Sequence, residues 1–168
     1  MKKFNTKKIV LLALLVALNI VLSRIVPAIN AWNMKISLTF ITMVIAGNIY
    51  GPIYSVLVGA LGDFIGSLLF PIGAYNPLFT ITAALSGLVF GIFYEKNMET
   101  KHAAIECLIN NICVTLLLNS WFISITYNTS FTALLATRSI QALVMFVVQM
   151  LLIIVLKPAV TRLRNSFK

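Results

Sequence analysis

One acid, Asp63, interrupts the apolar run Gly59-Ala60-Leu61-Gly62-Asp63-Phe64-Ile65-Gly66. If that run is a helix starting at Pro52, the carboxylate lies about 16 Å along it, near the middle of a bilayer. A carboxylate there is costly to leave unpaired, so it either meets a ligand or holds a cation such as Arg24. Arg24, Lys35 and Arg138 sit toward the same ends of their own runs with no acid beside them. Asn30, Trp32, Asn33, Tyr75, Asn76, Trp121 and Tyr127 lie between and around them. Cations gathered at the mouth of a bundle attract an anionic solute, and aromatic walls stack on a ring. A belt of interfacial aromatics with snorkelling cations accounts for many of these residues one by one. It accounts least for Arg138, several positions inside its run.

Other residue types exclude chemistry. No phosphate-binding GxxxxGK[ST] loop, HExxH pair or nucleophile elbow occurs in the sequence. Three of the four acids, Glu95, Glu99 and Glu106, are expected at or near the inner surface, which leaves little for paired-carboxylate catalysis. Cys107 and Cys113 are about 9 Å apart along a helix and on different faces, so they do not pair, and neither has metal-ligand spacing. His102 reads as an interfacial polar residue at an inner helix end. The chain is therefore expected to be no enzyme, to need no metal or cofactor, and to draw any energy for transport from an ion gradient or from a nucleotide-hydrolysing partner.

The elements that position these residues are membrane spans. Sixty per cent of 168 residues are hydrophobic and 10 per cent charged, with a mean hydropathy of +1.00. A soluble domain of this size cannot hide so much apolar surface, whereas a bilayer can. Six runs emerge, at about 8–26, 36–50, 52–70, 77–94, 103–125 and 131–156, separated by Pro27, Gly51-Pro52, Pro71 with Gly73, Pro77 and the polar stretch Glu95 to Lys101. Asn110, Asn111, Asn119 and Ser120 dilute the fifth. With the N-terminus inside, Lys2, Lys3, Lys7, Lys8, Lys96, Lys101, Lys157, Arg162, Arg164 and Lys168 fall on the inner side, ten of the thirteen Lys and Arg. The positive-inside rule selects that orientation, with both ends cytoplasmic. The formal charge of +9 then reports membrane orientation rather than nucleic acid. The expected fold is an all-α integral membrane protein, one domain over 1–168, built as a six-helix bundle; a cleaved signal peptide is not expected.

Small residues mark where helices approach. Ser55, Gly59, Gly62 and Gly66 draw a groove along the third run, and Ala84, Gly87 and Gly91 repeat it in the fourth, so these two helices should pack tightly. Ala13 and Ala17 make a dent among Leu14, Leu15, Val16 and Leu18 that suits a helix of another protein.

The segment from Gly59 through Pro71, Tyr75 and Pro77 to Thr80, followed by Ala84 to Gly91, resembles the third and fourth helices of substrate-binding S components of energy-coupling factor (ECF) transporters, especially the folate family. Ala13 to Arg24 resembles that family's first helix, including its AxxxA docking motif and the arginine beyond it. Length and six-helix layout match along the whole chain. The resemblance implies a multi-pass protein of the bacterial cell membrane that binds a vitamin in an outward pocket. It would then dock through Ala13 and Ala17 on a transmembrane coupling subunit carried by two ABC-type ATPases, topple, and release the vitamin inside. Folate suits the residues: Asp63 accepts the paired N–H donors of a pterin, the glutamate tail faces Arg24, Lys35 or Arg138, and Trp32, Tyr75 or Trp121 flank the benzoyl ring. Asn30 and Asn76 complete the expected site. An S component for another small anionic vitamin such as pantothenate, an autonomous secondary carrier, and a structural membrane subunit without a ligand are the alternatives.

Overall fold

The computed structural model describes residues 6–25, 29–31, 34–71, 75–95 and 100–167. Trp32, Asn33, Lys2, Lys3, Lys96, Glu99 and Lys168 lie outside them, and for Asn30 and Lys35 only the backbone is described. The first helix, α1 (Thr6–Ile20), continues into a π-wound turn, Val21–Ile25. A two-stranded antiparallel hairpin follows, β1 (Ile29–Ala31) and β2 (Met34–Ile36), with Asn30 opposite Lys35. Then come α2 (Phe40–Tyr50), α3 (Pro52–Leu69) and α4 (Pro77–Tyr94). The next helix begins as α5 (Thr100–Ile109), winds as a π-helix over Asn110–Leu118 and ends as α6 (Asn119–Tyr127). The last is α7 (Phe131–Phe167).

Among the described residues, five helices are long and apolar enough to cross a membrane: Thr6–Arg24, Pro52–Leu69, Pro77–Tyr94, Lys101–Tyr127 and Phe131–Ser166; Phe40–Tyr50 is a shorter apolar one. Large apolar side chains such as Val10, Ile53, Ile92, Leu143 and Val155 point outward, an arrangement that water penalises and lipid does not.

Local chemistry explains the joints. Gly51 turns the chain between α2 and α3 at φ 96°, a left-handed value that favours glycine, and Pro52 then opens α3, where its missing N–H costs nothing. Asn76 caps α4 by accepting from the Leu78 N–H at 3.0 Å. Asn128, left-handed at φ 50°, ends α6.

Small residues let backbones touch. A Cβ on Gly87 would lie 2.5 Å from the Ser55 carbonyl oxygen, and one on Gly59 2.6 Å from that of Ala83, so α3 and α4 pack as the sequence suggests. The groove does not serve one neighbour, however. Gly62 faces Asn19 and Gly66 faces Arg24, both on the α1 strand of chain rather than on α4. Gly47 meets Gly91, which draws α2 into the same block. Phe40, Val44, Phe90, Tyr94, Cys107, Ile153 and Val160 fill the core between α2, α4, α5 and α7. Lys8 lies 3.6 Å above the Tyr54 ring and ties the start of α1 to that of α3.

Three expectations need correction. Lys35 does not open the second helix. Residues 34–36 form a strand, and α2 starts only at Phe40, after Ser37 and Thr39 bond to each other at 2.9 Å and Thr42 bonds back to the Thr39 carbonyl at 2.7 Å. Apart from this short hairpin the described residues are helical, in keeping with the all-α class. The last helix does not stop at Leu156: it runs through Pro158, because Val160 is buried in the core and Arg164 donates to the Glu95 carbonyl at 3.2 Å. Glu106 is not a surface acid. It is fully buried, 3.3 Å from the Tyr94 hydroxyl and 3.4 Å from the Cys107 sulfur, so Asp63 is not the sole acid inside the bundle.

Candidate functional site

A cavity of about 510 Å³ opens where α1, α3 and α6 end and α2, α4 and α7 begin. Five of the expected residues meet on it: Arg24, Asp63, Tyr75, Asn76 and Arg138.

The π-wound turn carries Arg24, with Ser23 bonded back to the Ile20 carbonyl at 3.0 Å. Arg24 Nη2 donates to Asp63 Oδ1 at 3.5 Å, and the side chains are 13% and 24% exposed. Asp63 Oδ2 accepts from Thr80 Oγ1 at 2.9 Å, and the Thr80 hydroxyl pairs in turn with Tyr75 at 3.2 Å. Each carboxylate oxygen thus accepts one hydrogen bond within the protein and keeps a second acceptor site. Asn19 stands behind this wall. It is buried, bonded to Thr42 at 2.7 Å and lodged against Gly62, which fixes α1 on α3 a little over one turn from Arg24.

Across the cavity, Arg138 reaches Ser120 at 3.4 Å. Among the described residues, two cations and one acid line the cavity, so its field favours anions. Asn76 joins the mouth together, donating to Thr126 at the end of α6 at 2.7 Å. Met43, Phe79, Phe90 and Met145 supply the apolar middle.

The remaining expected residues fall elsewhere. Trp121 is 52% exposed, stacked at a tilt on Phe122, and does not line the cavity. Asn30 and Lys35 pair in the hairpin, whose second strand packs against α7. Trp32 lies outside the described residues. Ala13 and Ala17 lie on the exposed face of α1, opposite buried Leu15 and Asn19.

Sequence reasoning missed the floor. Asn110, Asn111 and Gln149 close the cavity between the π-wound segment and α7. The signal was present in the spacing. Asn111, Thr115 and Asn119 recur every four residues in one run, Gln141, Met145 and Gln149 in the other, and each triplet lines one face. Thr80 was missed because a lone threonine carries no signal until its acid partner is seen.

Residues 7–157 match the family described as ECF transporter, substrate-specific component. The chain is 34% identical over 154 residues to the folate transporter FolT of Leuconostoc mesenteroides, covering 88% of this chain and 82% of that protein. It is 30% identical over 154 residues to the folate transporter FolT of Clostridium novyi, covering 91% and 88%. It is also similar to a solved structure described as the crystal structure of FolT bound with folic acid, with a TM-score of 0.81 and 32% identity, over 98% of this chain and 96% of that one.

Proposed function

We propose, for a chain that belongs to the substrate-specific components of ECF transporters, that it captures folate at the membrane and passes it to an ATP-driven importer. The observation that carries the reading is the cavity, with Arg24 and Arg138 near its mouth, apolar side chains in its middle and amides at its floor. Folate offers carboxylates, a benzoyl ring and a hydrogen-bonding pterin in the same order. A volume of about 510 Å³ suits a ligand of drug size, for which pockets run roughly 300–1,000 Å³.

In this reading Arg24 and Arg138 receive the anionic tail. Asp63, already bonded to Arg24 and Thr80, holds the guanidinium in place, and Tyr75 and Asn76 shape the mouth. The β1–β2 hairpin forms its outer cover, and Trp121 stays outside. Six spans complete the bundle, the shorter Phe40–Tyr50 among them, with both ends cytoplasmic in the bacterial cell membrane. What supports this orientation is charge: Lys7, Lys8, Lys101, Lys157, Arg162 and Arg164 cluster at helix ends away from the cavity mouth. The chain itself is a binding subunit rather than an enzyme. The transmembrane coupling subunit docks on the dent at Ala13 and Ala17, and two ABC ATPases supply the work.

Calorimetry on the purified protein tests the function, with mass spectrometry of whatever co-purifies. Folate bound one to one is expected. Another vitamin, such as pantothenate, bound in its place would replace this reading. Uptake in cells lacking the coupling ATPases should be absent, and folate accumulation there would identify an autonomous carrier.

A further inference from the structure

Glu106 is an acid that the cavity does not use. It is fully buried on α5, where the Tyr94 hydroxyl of α4 and the neighbouring Cys107 thiol donate to its Oε2 at 3.3 and 3.4 Å. Its other oxygen, Oε1, is buried with no hydrogen-bond partner among the described residues. Asn110 follows about one turn later on the same side of the helix, 4% exposed, and its Oδ1 is likewise buried without a partner. Two neighbouring side chains thus each hold an acceptor that lacks a donor, a standing cost that one proton relieves.

We infer that Glu106 and Asn110 form a proton-binding site beneath the cavity, in which the carboxyl carries a proton on Oε1 and presents it to Asn110 Oδ1. Two observations point to a neutral acid. A charged carboxylate draws a hydroxyl donor to about 2.5–2.7 Å, well inside the 3.3 Å found here. Glu106 also has no ion-pair partner among the described residues, and a buried charge without one is costly. The elements packed on α5 are α4, α7 and the π-wound segment that continues it. Of their titratable groups, Tyr94 and Cys107 already meet Oε2, and His102 stands half-buried one turn before Glu106. Glu95, Lys101, Cys113, Lys157 and Arg162 are exposed, and Arg164 is engaged at the Glu95 carbonyl.

Asn110 also lines the cavity, which links the proton to whatever fills it. With the proton in place, Oδ1 is held toward Glu106 and the Asn110 NH₂ is left for the cavity. With the proton gone, the carboxylate repels Oδ1 and draws the NH₂, so the amide turns over and offers the cavity an oxygen. One proton therefore decides whether this point of the wall donates or accepts.

Infrared difference spectra of the purified full chain test the site with no ligand present. Wild type minus Glu106→Gln at neutral pH should show the carbonyl stretch of a protonated carboxyl, a band that carboxylates lack. Asn110→Leu should keep that band and shift it, because the proton loses its acceptor. If Glu106→Gln does not fold, the difference between wild type and Asn110→Leu carries the same band at two frequencies. Only carboxylate bands in wild type, or a band that Asn110→Leu leaves in place, would overturn the inference. The link to the cavity is tested with folate and so rests on the reading above. Added folate should shift the wild-type band and leave that of Asn110→Leu where it was. A wild-type band that does not move in protein shown by calorimetry to hold folate overturns the link. Wild type that binds no folate defeats the parent reading instead, and the ligand-free spectra still decide the proton site.

Discussion

Replacing Asp63 with Asn removes the charge that faces Arg24 and keeps the side chain's shape. At an effective dielectric of about 20, unit charges at the observed 3.5 Å attract by about 5 kcal/mol. Both side chains were desolvated to meet, and at 13% and 24% exposure water still screens part of the attraction. The net worth then lies between that of an exposed pair, at most about 1 kcal/mol, and that of a buried pair broken on one side, about 3–5 kcal/mol. The Thr80 hydroxyl can donate to an Asn oxygen as it does to Asp63, so that bond survives. Asp63→Asn should therefore cost about 1–3 kcal/mol without ligand, or roughly 2–12 °C in melting temperature for a chain of this length. Arg24, left without its countercharge, can pair more fully with a carboxylate of folate. Added folate should thus raise the melting temperature of the variant more than that of wild type, with affinity kept within about tenfold. Thermal denaturation in detergent, with and without folate, reads both effects. A variant that melts like wild type yet loses about a hundredfold or more in affinity for folate and for free pterin would refute the reasoning and make Asp63 the reader of the pterin edge.

Two further substitutions probe other parts of the molecule. Ala13→Leu or Ala17→Leu fills the exposed dent on α1; uptake in cells carrying the coupling module should vanish while folate binding by the isolated protein stays within about twofold of wild type. Gly87→Leu places a side chain where even a Cβ lies 2.5 Å from the Ser55 carbonyl oxygen; about 1–3 kcal/mol of overpacking should lower the melting temperature, and an unchanged value would show that α3 and α4 separate freely.

Much of the architecture was legible because apolar runs and turn residues report it directly. The boundaries of α3 and α4 differ from the expected ones by at most one residue, set by Pro52 and Pro77, whose chemistry is local. The hairpin was not legible. Each strand is only three residues long, too short for a period-two pattern to register. The far end of α7 was not legible either, because the residues beyond Leu156 are held in the helix by tertiary contacts of Val160 and Arg164, which carry no local signal. Of the candidate site, the residues that stand out against an apolar background were visible: Asp63, Arg24 and Arg138. The amide floor was not, since Asn and Gln in an apolar run read as dilution until a facing helix supplies their partners. Glu106 was misplaced because its distance from Lys101 suggests a surface, whereas Tyr94 and Cys107 enclose it.

The close backbone approaches around Gly47, Gly59 and Gly87 have a mechanical consequence. Main chain laid on main chain has no rotamers to yield, so α2, α3 and α4 form a stiff half of the cavity wall. The other half meets through long unbranched side chains, Gln141, Met145 and Gln149 on α7 facing the π-wound segment, and such side chains change rotamer at little cost. Strain applied to this protein, by a passing solute or by a docking partner, therefore concentrates on one side. The π-wound segment and α6 should exchange amide hydrogens faster than α3, and a bound ligand should slow them more, because that flank carries most of the compliance.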